Sequence, residues 1–333
     1  MKILFVWSAA EWSIYDVARG YRNALAAQGH EIRDFRLYNR IKYHGTALGE
    51  KSKNIELLAR VATEGIATDV LYFNPDLVVI ASGLSFHPNG LWLLRKLGVS
   101  TVTIFTESPY DDDKQHDFAK TYPEAVYFTS ERTSARKYGW YYLSHAYDPA
   151  VHYPRDSSVE PACDVLVLGT GWGDRQKFLE RVDWNGIDLR ILGPWPGMTD
   201  DSPLARYHTS GCIDNDLVPD FYASAKIVIN HHREHATAES MNPRTLELAA
   251  CEAFQLSNYR REVEEVFRGA VPMYNTPNEL DIMIRRYLAD DGARACLAAE
   301  SRAQARLLTF EVQARELVTK IATHNESPKQ RSA

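Results

Sequence analysis

The feature that most constrains this chain is a rhythm. Short apolar runs of strand length alternate, along nearly the whole sequence, with stretches whose apolar residues recur every three or four positions. "KILFVW" (2–7) is such a run, residues 14–30 carry helical spacing through Ile14, Val17, Tyr21 and Leu25 and close on Gly29, and "EIRDFRL" then alternates. Strand, helix, strand with short connections is the signature of a parallel sheet with crossover helices. The same reading makes "IELLARVATEGIATDVLYF" a helix, 75–82 a buried strand, 89–98 a helix, 100–106 and 125–130 strands, "ERTSARKYG" a helix and "WYYLSHA" a short strand.

The rhythm stops once. Residues 147–164, "YDPAVHYPRDSSVEPACD", hold three prolines among polar residues and read as a linker. It then restarts with strand 164–170, helix 175–182 and strand 188–193, and after an irregular Pro/Gly-rich stretch with helix 218–225, strand 226–232, a helix within 238–254 and strand 253–259. A short helical turn, a strand at "AVPMYN" and two helices follow, and 309–324 gives a last helix. The pattern alone predicts two successive doubly wound α/β domains, 1–154 and 155–308, with 325–333 a disordered tail. At 333 residues the chain is long enough for two domain-sized cores. In such sheets ligands gather at the carboxyl ends of the strands, so functional residues are expected in the loops that follow them.

Composition narrows the partners. A formal net charge of −6 and a pI near 6.0 do not make a polyanion-binding surface the default. Cys163, Cys212, Cys251 and Cys296 form no C-x-x-C pair, so neither a zinc knuckle nor a disulfide framework is indicated, and buried reduced thiols are expected. The N-terminal apolar run is cut by Glu11, unlike a signal peptide, and no apolar stretch approaches the roughly 20 residues of a membrane span, so the expectation is a soluble cytoplasmic protein.

Two loops of the second half carry chemistry. "GTGWGDR" (169–175) joins a strand to a helix, where backbone N–H groups hold phosphate well; Gly169, Gly171 and Gly173 alternate strictly, which is not the dinucleotide spacing G-x-G-x-x-G. Arg175 is a candidate phosphate partner, with a solvated surface arginine as the alternative. In "AESMNPRTLELAACEAF" (238–254), Asn242 suits an N-cap and Pro243 the first helical position. Arg244 and Glu247 then share one face of the first turns, beside Cys251, while Leu246, Ala249 and Ala250 point toward the core. An arginine at a helix N-terminus adds to the positive end, a conflict that an anionic ligand would remove. A surface Arg244–Glu247 ion pair is the plainer alternative.

The spacing E-x7-E between Glu239 and Glu247 resembles the donor-site signature of retaining GT-B glycosyltransferases, and "NPRTLE" followed by "AACEAFQLSNY" is similar to the group related to the spore-maturation protein CgeB. "ESPY", "HAYDPAVHYP", "DVLVLGTGWGDR", "GCIDND" and "FYASAKIVINHH" occur in the order of that group. The resemblance implies a GT-B fold, two Rossmann-like doubly wound parallel-sheet domains facing a cleft, with the last helix crossing back to the first domain. It implies that Glu247 binds the ribose hydroxyls of a nucleotide-sugar donor, that Asn242 and Arg244 lie near the diphosphate, and that Gly211, Cys212 and Ile213 face the base. Glu239, Gly171, Arg175 and His231 complete the expected donor-binding set. Glu252 stands where the family has glycine and would crowd or contact the donor.

In the first half, Glu11, His87 and Glu107 follow strands and are the candidates for the base that activates an acceptor hydroxyl; a polar loop residue without a catalytic part is the alternative for each. His145 and His232 have similar standing. Asp111 and Asp113 form a D-x-D, but the two-domain pattern argues against the fold that uses it for metal, so "DDDK" reads as a solvated acidic loop and no metal is expected. The implied activity is glycosyl transfer from a nucleotide-sugar to an acceptor hydroxyl, with domain closure excluding water. A sugar-nucleotide epimerase and a non-catalytic nucleotide- or sugar-binding protein are the rivals. Polysaccharide, protein, small molecule and modified nucleic-acid base stay open as acceptors.

Overall fold

The computed structural model describes residues 1–8, 12–49, 54–156, 162–209 and 211–326. It divides into two compact units, Met1–Ser144 joined by the helix that begins at Phe310, and His145–Thr309.

The first unit runs β1 (Lys2–Trp7), α1 (Trp12–Ala27), β2 (Glu31–Arg36), α2 (Leu37–Leu48), α3 (Ile55–Glu64), α4 (Ile66–Phe73), β3 (Leu77–Ala81), α5 (Pro88–Leu97), β4 (Thr101–Phe105), α6 (Asp112–Lys120), β5 (Val126–Thr129), α7 (Arg132–Tyr138) and β6 (Tyr141–Tyr142). Its strands form one parallel sheet in the order β2-β1-β3-β4-β5-β6. Every residue of β3, β4 and β5 is buried, because helices cover both faces; a parallel strand therefore reads as an unbroken apolar run.

Polar helices escaped the sequence reading. The segment read as one helix over "IELLARVATEGIATDVLYF" breaks at Gly65, where a Cβ would come within 2.8 Å of the Arg40 guanidinium. α2 was not anticipated, and neither was α6. The acidic loop is thus corrected: Asp112 and Asp113 form the first turn of α6, where carboxylates meet the positive end of the helix.

The second unit runs β7 (Cys163–Leu168), α8 (Gly173–Leu179), β8 (Leu189–Leu192), β9 (His208–Thr209), α9 (Val218–Ser224), β10 (Ala225–Asn230), α10 (Pro243–Ala250), β11 (Gln255–Asn258), α11 (Arg261–Phe267), β12 (Met273–Tyr274), α12 (Pro277–Leu288) and α13 (Asp291–Ala305). Its sheet is also parallel, in the order β12-β11-β10-β7-β8-β9, so chain order reverses between β7 and β10. The Pro-rich stretch is not where the units part. Tyr147 already belongs to the second unit: it bridges to Thr309, its N–H donates to the Leu308 carbonyl, and its ring packs with Met241 and Leu246.

The last helix, α14 (Phe310–Glu326), packs on α1 of the first unit. The Phe310 ring lies 5.2 Å from that of Tyr21, Lys320 Nζ donates to the Tyr142 carbonyl, and Gln28 Nε2 donates to that of Glu311. Of the expected tail 325–333, residues 325 and 326 belong to α14, and 327–333 lie outside the described residues. Among the described residues no helix is long and apolar enough to cross a membrane. All four cysteines are free; Cys163 and Cys251 are buried as expected, but Cys212 and Cys296 are exposed.

Gly20 makes the α1–α14 contact possible, since a Cβ there would stand 2.2 Å from the Phe310 ring. Gly20→Ala should therefore lower stability by about 1–3 kcal/mol through overpacking. Denaturant unfolding reads this, and an unchanged midpoint would show that α14 moves aside without cost.

Candidate functional site

The second sheet reverses between β7 and β10, and the loops after these two strands flank that point. In the first loop Gly169 has φ +111, a left-handed value that side chains disfavour, and the Arg244 guanidinium lies where its Cβ would be, 2.8–3.1 Å away. The loop is also anchored from β8: Gly169 N–H donates to the Leu192 carbonyl, Gly171 N–H to that of Pro194, and Trp195 Nε1 to that of Gly169. Gly171 is required by closeness, because a Cβ would fall 2.1 Å from the Trp195 ring. Gly171 is therefore packed under Trp195, and Gly173 begins α8.

In the second loop the chain folds back to start α10. Asn242 is its N-cap: Oδ1 accepts from Thr245 N–H at 3.0 Å, as Asn-Pro at a helix start predicts. The same amide pairs with Asn230 at the end of β10, each Nδ2 donating to the other's Oδ1 at 3.1 and 2.9 Å. Asn242 is thus held by the protein, and its part is to fix where the helix begins. Arg244 and Glu247 are half-buried on the first turns. Among the described residues no ion pair joins them, and Arg244 Nε is buried with no hydrogen-bond partner. Cys251, expected beside them, instead packs in the core with Leu168 and Tyr222, where burial pushes its thiol up to about 12.

The structure corrects the direction of two candidates. Arg175 is only 5% exposed and faces inward: Nη1 donates to the Thr170 carbonyl at 2.8 Å and Nη2 to that of His231, so it bolts the two loops together. His231 is 1% exposed, its ring lying 4.5 Å from Phe178 and its Nδ1 3.1 Å from the Tyr274 hydroxyl. Burial, with the Arg175 charge adding to it, lowers its pKa to about 3. His232 is buried as well and lowered for the same first reason; Asn258 and Thr245 hold its two ring nitrogens at 3.0 and 3.2 Å. Burial lowers His145 to about 4.

Gly211, Cys212 and Ile213 follow β9 at the same carboxyl edge; the first two are exposed and Ile213 packs beside Val218 and Tyr222. Glu239 lies 3.8 Å from Arg261, and its carbonyl accepts from Glu262 N–H. Glu252 is decided by geometry: φ is +56, Glu252 N–H donates to the Ala249 carbonyl and Ala253 N–H to that of Leu248. This is the left-handed turn that ends a helix, which explains the glycine expected there. It stands at the far end of α10 from Arg244, and its carboxylate pairs with Arg302 on α13 at 2.9 Å, so it does not crowd the N-terminal turns. Trp195, Gly193, Asn230 and Tyr222 escaped the sequence reading; a Gly-Pro-Trp run directly after a strand was the signal for the first two.

In the first unit, order reverses between β1 and β3, where Ser8 Oγ accepts from Gly83 N–H. Glu11 lies outside the described residues. His87 caps α5, its Nδ1 accepting from Asn89 N–H at 3.1 Å. That ring nitrogen is thus occupied by the cap. Glu107 follows β4, with Thr106 Oγ1 donating to its carboxylate at 3.3 Å. Asp111 pairs with Lys114, and Asp113 accepts from Tyr138. Among the described residues no His/Cys/Asp/Glu group is arranged to hold a metal.

Residues 174–322 match a family model described as glycosyl transferase-like, less than half of the chain. No curated protein matches. Among solved structures the chain is similar to sucrose-phosphate synthase from Thermosynechococcus elongatus, with TM-score 0.71 and 15% identity over 97% of this chain and 99% of that one. It is similar also to Anabaena HepE in complex with UDP-glucose, with TM-score 0.65 and 11% identity over 97% and 100%. An alpha-glucosyltransferase in complex with UDP-glucose and DNA containing an abasic site gives TM-score 0.65 and 12% identity over 96% and 98%. The chain has the GT-B glycosyltransferase fold. At these identities the likeness fixes the architecture of the GT-B chain, and the site has to be argued from its own residues.

Two outcomes follow. Glu252→Gly removes a left-handed non-glycine residue and a surface ion pair, so stability should change by no more than about 1 kcal/mol and nucleotide affinity not at all; calorimetric titration checks this, and weakened binding would return Glu252 to the site. The buried histidines set a pH dependence. Their folded pKa values lie below the unfolded 6.5, so stability is fully present above pH 6.5 and declines as pH falls toward about 3, where the unfolded chain takes up protons that the folded one refuses. Urea titrations between pH 7 and 5, above most carboxylate protonation, should show the decline; a level profile would contradict neutral buried rings.

Proposed function

We propose that this GT-B protein is a glycosyltransferase of the CgeB-like kind that holds a nucleotide-sugar on its second unit and transfers the sugar to an acceptor hydroxyl, the acceptor falling to the first unit. The observation that carries the reading is the pair Arg244 and Glu247. They stand on the first turns of α10 beside the sheet's reversal point, unpaired with each other, with the guanidinium against a glycine turn. An unpaired cation at the positive end of a helix is unfavourable until an anion arrives, and a diphosphate supplies two negatively charged groups. A carboxylate one turn further accepts the two hydroxyl donors of a ribose. The glycosyl transferase-like match over 174–322 covers these residues, and two of the similar structures hold UDP-glucose, which supports a nucleoside diphosphate as the leaving group.

In this reading the chemistry is electrostatic. Arg244 and the N–H groups of the first turns stabilise the charge that develops as the sugar–phosphate bond breaks, without a metal. Glu107 is the first-unit carboxylate proposed to take the acceptor proton, and Gly211, Cys212 and Ile213 to face the base.

Thermal unfolding with UDP-, GDP-, TDP-, CDP- and ADP-sugars tests the site. One nucleotide at a hundred times its Kd should stabilise the wild type by about 2.7 kcal/mol, and Arg244→Gln and Glu247→Gln should each lose most of that shift while unfolding near the wild-type temperature without ligand. The idea sinks if no nucleotide acts on the wild type, or if both variants respond as it does. Transfer that stops on adding EDTA would remove the metal-free part alone.

A further inference from the structure

Tyr222, on α9, is 1% exposed and packs with Leu168, the last residue of β7, with Leu248 of α10 and with Cys251, which caps that helix. Its hydroxyl is buried with no hydrogen-bond partner. Arg244, Glu247 and Cys251 are the groups that bear electrostatically on that hydroxyl, Arg244 most strongly, and neither the hydroxyl nor the buried Nε of Arg244 has a well-formed hydrogen bond. Two buried polar groups are therefore unmet here, the Tyr222 hydroxyl and the Nε of Arg244, and the half-buried carboxylate of Glu247 acts on the same hydroxyl. Native proteins rarely leave such groups unsatisfied, and an orphaned buried hydroxyl destabilises the protein that carries it.

Their valences are complementary. Arg244 Nε–H is a donor only, an ionised carboxylate is an acceptor only, and a phenol is both. We propose that Tyr222 is a positioning residue of the nucleotide-sugar site: when ligand enters, its oxygen accepts from Arg244 Nε–H and its O–H donates to Glu247, tying the arginine that meets the diphosphate to the carboxylate that meets the ribose. No proton changes hands. Burial, only partly opposed by the Arg244 charge, raises the phenol's pKa, so the group stays protonated and able to donate. The linkage rests on the donor-site reading above and adds to it a reason for the two charged residues to act together. The helix fixes their backbones three residues apart, and the hydroxyl beneath them fixes their side chains.

Tyr222→Phe removes the hydroxyl and nothing else. The empty variant should unfold at the wild-type temperature or above it, since an unsatisfied group has been deleted. Its Kd for the nucleoside diphosphate that most stabilises the wild type, chosen among UDP, GDP, TDP, CDP and ADP, should rise about tenfold, the worth of one charge-assisted hydrogen bond. In transfer assays KM for the donor should rise more than kcat falls. A hydroxyl with a purely structural part would give the reverse, a lower unfolding temperature with unchanged Kd, and that result overturns the linkage. So does wild-type affinity in Tyr222→Phe when Arg244→Gln has lost binding, which leaves the donor site standing. If no nucleotide binds the wild type, the donor site and the linkage fall together.

Discussion

The amide pair between Asn230 and Asn242 is the joint on which the second unit's site depends. It ties the carboxyl end of β10 to the first residue of α10, and its neighbours close around it: Thr245 Oγ1 accepts from Asn230 Nδ2 and donates to Asn242 Oδ1, and Gln255 Nε2 donates to the Thr245 carbonyl. Each group is satisfied by another within the network, so displacing one would orphan several, and such networks hold a single geometry. That geometry is what carries Arg244 over Gly169.

Around the joint, burial works for rigidity. Leu246, Ala249 and Ala250 pack on Val263, Phe267 and Val271, and Leu248 packs on the opposite side with Leu166 and Val228. Helix α10 is therefore apolar on both flanks, and its charged residues occupy the strip that remains. Arg175 and the two neutral histidines complete the frame: charge and ring nitrogens that look catalytic in the sequence instead hold the loops in place. A site whose supports are fixed this way presents its ligand-facing groups without reorganisation.

Much of this was legible in the residues, and the failures have definite causes. The Asn-Pro start of α10 was readable because the N-cap needs a particular side chain and proline a particular position. Arg244 and Glu247 sharing a face followed from helical spacing. Arg175 and His231 were read toward a ligand because both lie at the carboxyl edge of the sheet, but no periodicity governs where a loop side chain points. α2 and α6 were missed because half-exposed polar helices carry few apolar residues to mark their turns. The prolines of 147–164 drew the domain boundary too late, since the pairing of Tyr147 with Thr309 joins residues far apart in sequence.

By itself the sequence determined the two parallel sheets, the loops that follow their strands and the start of the helix bearing the candidate donor residues, because hydrophobic period, capping and proline act over a few residues at a time. Tertiary structure alone decided which charged groups find partners inside and which are left without them. Arg175 was claimed by two carbonyls and Glu252 by Arg302, while the Nε of Arg244 and the Tyr222 hydroxyl, from two helices, were left unmatched. Hydrogen-bond satisfaction depends on what lies across the fold, and no local pattern encodes it.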